Sequence, residues 1–96
     1  MASTVPAMTV RKRVRAHGRV QGVFFRDSVR RTAREAGVAG WARNRGDGTV
    51  EAVFEGPEQA VERLVALCRA GPGHAEVTEL EVAEEPPEGL QGFDVG

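Results

Sequence analysis

The sequence predicts an α+β domain with the element order β-α-β-β-α-β, a split βαβ plan with an antiparallel sheet of four to five strands and two helices on one face. Three observations predict it. Segments of period two alternate with two segments of helical period. Glycine turns at 37, 46–48 and 71–73 punctuate them. A length of 96 residues suffices for one modest core but not a second.

Met8 to His17 alternates, with Met8, Val10, Val14 and Ala16 on one side and Arg11, Arg13, Arg15 and His17 on the other. That is a half-buried strand with one wet face. Lys12 falls on the apolar side and is expected to snorkel out near an end of the sheet. After a glycine-containing stretch, Phe25, Val29, Thr32, Ala33 and Ala36 recur at helical spacing, Asp27 sits in the first turn, and Gly37 marks the stop. Val38 to Asn44 reads as the second strand, Arg45-Gly46-Asp47-Gly48 as a hairpin turn, and Thr49 to Glu55 as the third strand. In that third strand Val50, Ala52 and Phe54 face opposite to Glu51 and Glu55. Gly56-Pro57-Glu58 opens the second helix, with proline in its first turn. Its stripe is Val61, Leu64, Val65 and Cys68, which makes Cys68 a small core residue rather than a nucleophile. Ala75 to Ala83 is a fourth strand whose parity slips between Val77 and Leu80, so a bulge is expected near Thr78-Glu79. Phe93 and Val95 suggest a short closing strand. The order is that of the ferredoxin-like plan. Residues 1–7 are expected to form a flexible tail and 8–96 a single domain.

Composition narrows the setting. A hydrophobic share of 41% with 28% charged residues is that of an ordinary globular chain. No apolar run approaches the roughly 20 residues that span a bilayer. An Arg-rich opening also marks transit peptides, but here the basic residues lie inside the first strand and the glycine loop. A lone cysteine excludes an intramolecular disulfide and any cysteine metal cluster, and a cytoplasmic protein is expected. Residues 1–50 carry eleven Arg/Lys against three acids, and residues 51–96 two against eleven. Such asymmetry marks either a nucleic-acid face or two halves that compensate each other in one sheet, and in so small a domain the second is expected.

Gly18-Arg19-Val20-Gln21-Gly22-Val23-Phe24-Phe25-Arg26 joins the first strand to the first helix. Gly18 and Gly22 let the backbone curl, the helix start contributes its dipole, and Arg26 places a guanidinium in the first turn. Together they suit a phosphate-sized anion. The loop alone fits an empty turn equally well, since neither a Walker ending nor a dinucleotide fingerprint is present. Asn44 closes the second strand and reads either as a turn-initiating residue or as a short amide that could aim a water molecule.

Gly18 to Arg26, followed by Gly40-Trp41-Ala42-Arg43-Asn44, resembles the two signatures of the acylphosphatase family. Gly48-Thr49-Val50 and Glu55-Gly56-Pro57 match that family's later pattern. The resemblance implies hydrolysis of a small acyl phosphate to a carboxylate and inorganic phosphate, with no metal and no cofactor. It implies that Arg26 and the backbone N–H groups of Val20, Gln21, Gly22, Val23, Phe24 and Phe25 hold the phosphoryl group, while Asn44 holds the attacking water. Relatives commonly end in an aromatic or basic residue, whereas this sequence ends Phe93-Asp94-Val95-Gly96. A monomer with no nucleic-acid or membrane partner is expected. The rivals are an RNA-binding module, which needs aromatics across the open sheet face, and a non-catalytic regulatory domain of the same fold.

Overall fold

The computed structural model describes residues 8–96, so the expected tail at 1–7 lies outside the described residues. The elements run β1 (Thr9–Arg19), α1 (Phe25–Ala36), β2 (Ala39–Asn44), β3 (Val50–Pro57), α2 (Glu58–Ala70), β4 (Glu76–Glu85) and β5 (Phe93–Val95). They form one sheet of order β4-β1-β3-β2-β5. The first four strands pair antiparallel, as expected, and β5 adds parallel to β2, which makes the sheet mixed. Topology dictates this. Strands β3 and β4 run one way and β1 and β2 the other, and the segment after β4 carries the chain from one sheet edge to the opposite one. A chain that crosses from the far end of β4 re-enters the sheet running with β2. Among the described residues no helix is long and apolar enough to cross a membrane.

Side-chain alternation places Val14, Ala16, Ala42, Ala52 and Phe54 on the helix-covered face, where all five are buried. Helix α2 lies over β1, β3 and β4, and α1 over β2 and β5. The stripes of both helices enter this core: Phe25, Val29 and Ala33 from α1, and Val61, Leu64, Val65 and Cys68 from α2. Phe93 closes one end by stacking on Phe54, with ring centroids 5.9 Å apart and planes at 17°. Burial pushes the Cys68 thiol up to about 12, so it stays protonated and inert. Lys12 leaves the apolar face by reaching Glu62 on α2. The bulge is where the parity slip placed it: His17 pairs with Glu79 and Gly18 with Val77, which leaves Thr78 unpaired in the register. Pro57 differs from expectation. With φ −58° and ψ 140° it caps α2 from outside, because β3 runs to Pro57 rather than ending at Glu55.

The second face of the sheet is not uniformly wet. Arg11, Glu51 and Glu55 are only 4%, 5% and 4% exposed, because cross-strand charge pairs cover one another. Arg13 bonds Glu85 at 2.6 Å and Glu51 at 2.9 Å, and Arg45 bonds Glu51 at 2.5 Å. Trp41 lies among the guanidinium groups of Arg13, Arg43 and Arg45, at 5.4, 4.8 and 5.8 Å from its ring centroid. Glu55 is the most heavily engaged carboxylate. It accepts hydrogen bonds from the backbone N–H groups of Glu88, Gly89 and Leu90 at 2.8, 2.7 and 2.9 Å, and Arg11 approaches it at 3.4 Å. Burial alone would raise the Glu55 carboxyl, but those donors outweigh it and hold it below the usual range. Burial likewise opposes, and Arg45 and Arg13 reverse, the shift of Glu51; Arg13 and Arg11 lower Glu85.

Two outcomes are expected. Carboxyls depressed in the folded state contribute stability that is complete above their unfolded value of about 4.3 and is lost as pH falls through the folded value. Thermal midpoints should therefore fall progressively as the buffer is taken from pH 5 to pH 3. Glu55→Gln should cost about 2–3 kcal/mol in urea unfolding at pH 7, with the gap to wild type narrowing at pH 3. Separately, Gly18 has φ 117°, and a Cβ there would stand 2.2 Å from the Glu76 carbonyl oxygen across the β1–β4 pair. Gly18→Ala should lose roughly 2–4 kcal/mol in the same assay, whereas Gly46→Ala, with open space around it, should lose far less.

Candidate active site

Between β1 and α1 the backbone alternates in handedness. Gly22 has φ 71° and Phe24 has φ 62°, and Phe24 is the only non-glycine at positive φ among the described residues, so Val23 between them is of ordinary hand. Alternation of this kind turns successive N–H groups toward one side and forms an anion-sized concavity. A Cβ at Gly22 would meet nothing within 4 Å, so glycine is needed there for handedness rather than space. Gly18 belongs instead to the end of β1, where its role is the close approach to β4. The two glycines four apart thus do different jobs, and only Gly22 shapes the loop.

Phe24 is also the N-cap of α1, and no side chain caps this helix. The first bond into the helix is Ser28 N–H to the Phe24 carbonyl at 3.0 Å. The N–H groups before Ser28 are the orphan donors of a helix start, and they carry its positive dipole end. The 70% exposed side chain of Phe24, held in a conformation that costs a non-glycine residue about 1–2 kcal/mol, points to a local shape maintained for reasons other than packing. A cavity of about 250 Å³ opens here, lined by Val20, Gly22, Phe24, Phe25, Arg26 and Asp27. Arg26 projects from the first turn of α1, and one of its N–H groups donates to the Gly96 carbonyl oxygen. Gly96 in turn donates its N–H to the Ala42 carbonyl at 3.1 Å, so the end of β5 links Arg26 to β2.

Asn44 ends β2, exposed, opposite Val50 of β3. It shares the parity of Gly40 and Ala42, hence the sheet face on which α1 lies. It does not line the cavity; the structure joins it to the loop through Gln21. The Gln21 amide nitrogen donates to the carbonyls of Arg45 at 2.8 Å and Thr49 at 2.9 Å, the two residues that close the β2–β3 turn just beyond Asn44. That turn is stiff. Arg45 N–H bonds the Thr49 carbonyl at 2.8 Å, and Asp47 accepts from the Thr49 hydroxyl at 2.6 Å and its N–H at 3.0 Å. The hydroxyl first, then the N–H, lower the Asp47 carboxyl below its usual range. A third tie comes from the α2–β4 connection, where His74 N–H donates to the Val23 carbonyl at 3.2 Å. Gly73 lies so near that a Cβ there would stand 2.5 Å from the same oxygen.

The structure therefore brings Val20, Gly22, Phe24, Phe25 and Arg26 around one cavity, leaves Gln21 and Val23 off its lining, and connects Asn44 to the loop only through the turn that Gln21 bonds. Sequence reasoning missed the Gln21 side chain, the close packing of Gly73 on the loop and the route from Gly96 to Arg26. The Asp47-Gly48-Thr49 spacing did carry a local signal, that of a side chain bonding its own backbone two residues on. The others are contacts across 24 to 70 residues of sequence and had none.

The acylphosphatase family model matches residues 12–95. An acylphosphatase from Gloeobacter violaceus is 56% identical over 89 residues, covering 93% of this chain and 96% of its own. One from Thermococcus kodakarensis is 58% identical over 88 residues, covering 88% of this chain and 97% of its own. The solved structure of a Bacillus subtilis acylphosphatase superposes with a TM-score of 0.86 at 39% identity, over 91% of this chain and 98% of that one. A handed loop at an uncapped helix start, an arginine beside it and an asparagine at the neighbouring strand end are thus found within a sequence and a fold that point the same way: the chain belongs to the acylphosphatase family, hydrolases that act on acyl phosphates.

Proposed function

We propose that the chain hydrolyses the carboxyl–phosphate bond of small acyl phosphates, with the phosphoryl group held by the 20–25 loop and Arg26 and the attacking water aimed by Asn44. The observation that carries this reading is the alternation at Gly22 and Phe24, which leaves a row of unused N–H groups beside a guanidinium. Three negative phosphoryl oxygens require several donors converging on one point, and a fork of paired N–H groups is matched to two of them. Arg26 spends one N–H on Gly96, so donors remain for the substrate.

The chemistry asks little more. The water oxygen forms a bond to phosphorus while the bond from phosphorus to the acyl oxygen breaks, and the acyl carboxylate leaves with the electron pair. One water proton passes to a phosphoryl oxygen, which gives inorganic phosphate. A carboxylate leaves readily without a proton, so no general acid is required of the protein. Positioning and charge stabilisation carry the rate. Asn44 suits the remaining task because its amide both donates and accepts and has few rotatable bonds. No step calls for a metal ion or cofactor.

We place the domain, residues 8–96, in the cytoplasm as a monomer that binds no nucleic acid. The outer edge strand β4 carries Glu76, Glu79, Glu81, Glu84 and Glu85, and self-pairing there would oppose like charges. Trp41 is the only Phe, Tyr or Trp side chain on the open sheet face among the described residues, and of the arginines around it Arg13 and Arg45 engage carboxylates.

The test is turnover of benzoyl phosphate, with and without EDTA. Wild type should be active and indifferent to the chelator. Arg26→Ala should lose nearly all turnover and weaken competitive inhibition by inorganic phosphate by about 10–150-fold, the loss of a charge-assisted contact. Asn44→Ala should lose turnover with phosphate inhibition little changed. Full activity in both variants would sink the mechanism, and an inactive wild type would favour a regulatory domain.

A further inference from the structure

Gln21 offers the loop more than its backbone N–H. Its side chain does something the backbone cannot. Both amide hydrogens are spent, on the Arg45 carbonyl at 2.8 Å and on the Thr49 carbonyl at 2.9 Å. Each of those oxygens already accepts a bond within the β2–β3 turn, Arg45 from Gly48 N–H at 3.2 Å and Thr49 from Arg45 N–H at 2.8 Å. Gln21 thus occupies the second lone pair of each and adds a brace to a turn that is closed without it. The turn does not need the brace to exist; what the brace fixes is the distance between the turn and the loop.

We infer that Gln21 is a positioning residue that sets the spacing between the phosphoryl-holding loop and Asn44. The inference rests on the proposed hydrolase reading. Asn44 immediately precedes Arg45 and pairs with Val50, which follows Thr49, so the Asn44–Val50 pair stands next to the Arg45–Thr49 pair that Gln21 holds. The residue after Gln21 is Gly22, the first of the two left-handed positions that shape the loop. One side chain therefore spans from the start of the loop to the strand end that would carry the water-aiming group. In-line attack needs the water oxygen, the phosphorus and the leaving acyl oxygen close to one line, and a shift of about 1 Å costs on the order of 100-fold. The residue type fits the task. A carboxamide nitrogen offers two donors without charge, whereas glutamate would set an acceptor against two carbonyls, and asparagine is one methylene shorter.

The deciding experiment is steady-state turnover of benzoyl phosphate by Gln21→Met and Gln21→Asn, alone and combined with Asn44→Ala, with inorganic phosphate inhibition measured alongside. Met keeps the length and loses both donors; Asn keeps the amide and loses the reach, and its small change in volume protects the fold. The expected result in both is kcat lower by about 10-fold or more with the phosphate inhibition constant within about 3-fold of wild type. Added to Asn44→Ala, either substitution should cost little further turnover, because the group it positions is gone. Unchanged kcat in both variants would overturn the inference, as would a loss confined to phosphate inhibition or a loss fully additive with Asn44→Ala. A wild type that fails to turn over benzoyl phosphate would overturn the underlying hydrolase reading instead, which separates the two failures.

Discussion

The local constraint on which the site depends is backbone handedness at two positions of one loop. Gly22 and Phe24 are left-handed and Val23 is not, and that sequence of signs turns peptide N–H groups toward a common point. At Gly22 the conformation costs nothing in side-chain clash, but at Phe24 it is unfavourable and must be held by its surroundings. The surroundings are visible. Val23 is bonded to His74, Gln21 to the β2–β3 turn, and Phe25 is sunk in the core at the root of α1. The loop is strained at one residue and clamped at its neighbours, the arrangement expected where shape is kept for a ligand.

The clamps reach across the sheet. Because β1 lies between β4 and β3, its end is adjacent both to the α2–β4 connection and to the β2–β3 turn. That placement lets a single loop be tied on two sides. The open face contributes by holding the far segment in place: Glu55, buried among three backbone donors and Arg11, anchors residues 88–90, from which the chain proceeds to β5 and Gly96. Gly96 then meets Arg26. A carboxylate on the face opposite the helices is in this way connected to the guanidinium at the loop. Its charge is tolerated in a 4% exposed position only because every lone pair has a donor nearby.

Much of this was legible in the residues. The alternation of β1 and β3, the helical stripes of α1 and α2, the glycine stop after α1 and the parity slip in β4 each report a local geometric period, and each is present, with β1, β3 and β4 running on to Arg19, Pro57 and Glu85 beyond the ends that were read. The loop from Gly18 to Arg26 was visible as a nest because glycine spacing and a helix start are also local. Less visible was that Gly18 and Gly22 serve separate purposes. Nothing in a glycine says whether it is there for handedness or for space, and only the Glu76 carbonyl 2.2 Å from the virtual Cβ at Gly18 distinguishes the two. The expected wet face of β1 and β3 also read differently in three dimensions. Arg11 and Glu55 cover each other and Glu51 is covered by Arg13 and Arg45, and a charge pattern cannot show whether its members stand in water or cover one another.

Taken alone, the sequence determined the periods, the breaks and the chemical inventory: where strands and helices lie, that one arginine opens a helix after a glycine loop, and that one asparagine ends a strand. These follow from interactions within a few residues, which sequence spacing encodes directly. Tertiary structure decided that β5 runs parallel to β2, that Gly96 reaches Arg26, and that the Gln21 amide bridges the loop to the carbonyls beside Asn44. Each of those depends on which sheet edges the chain joins, and contacts made across 24 to 70 residues leave no period in the sequence by which to find them.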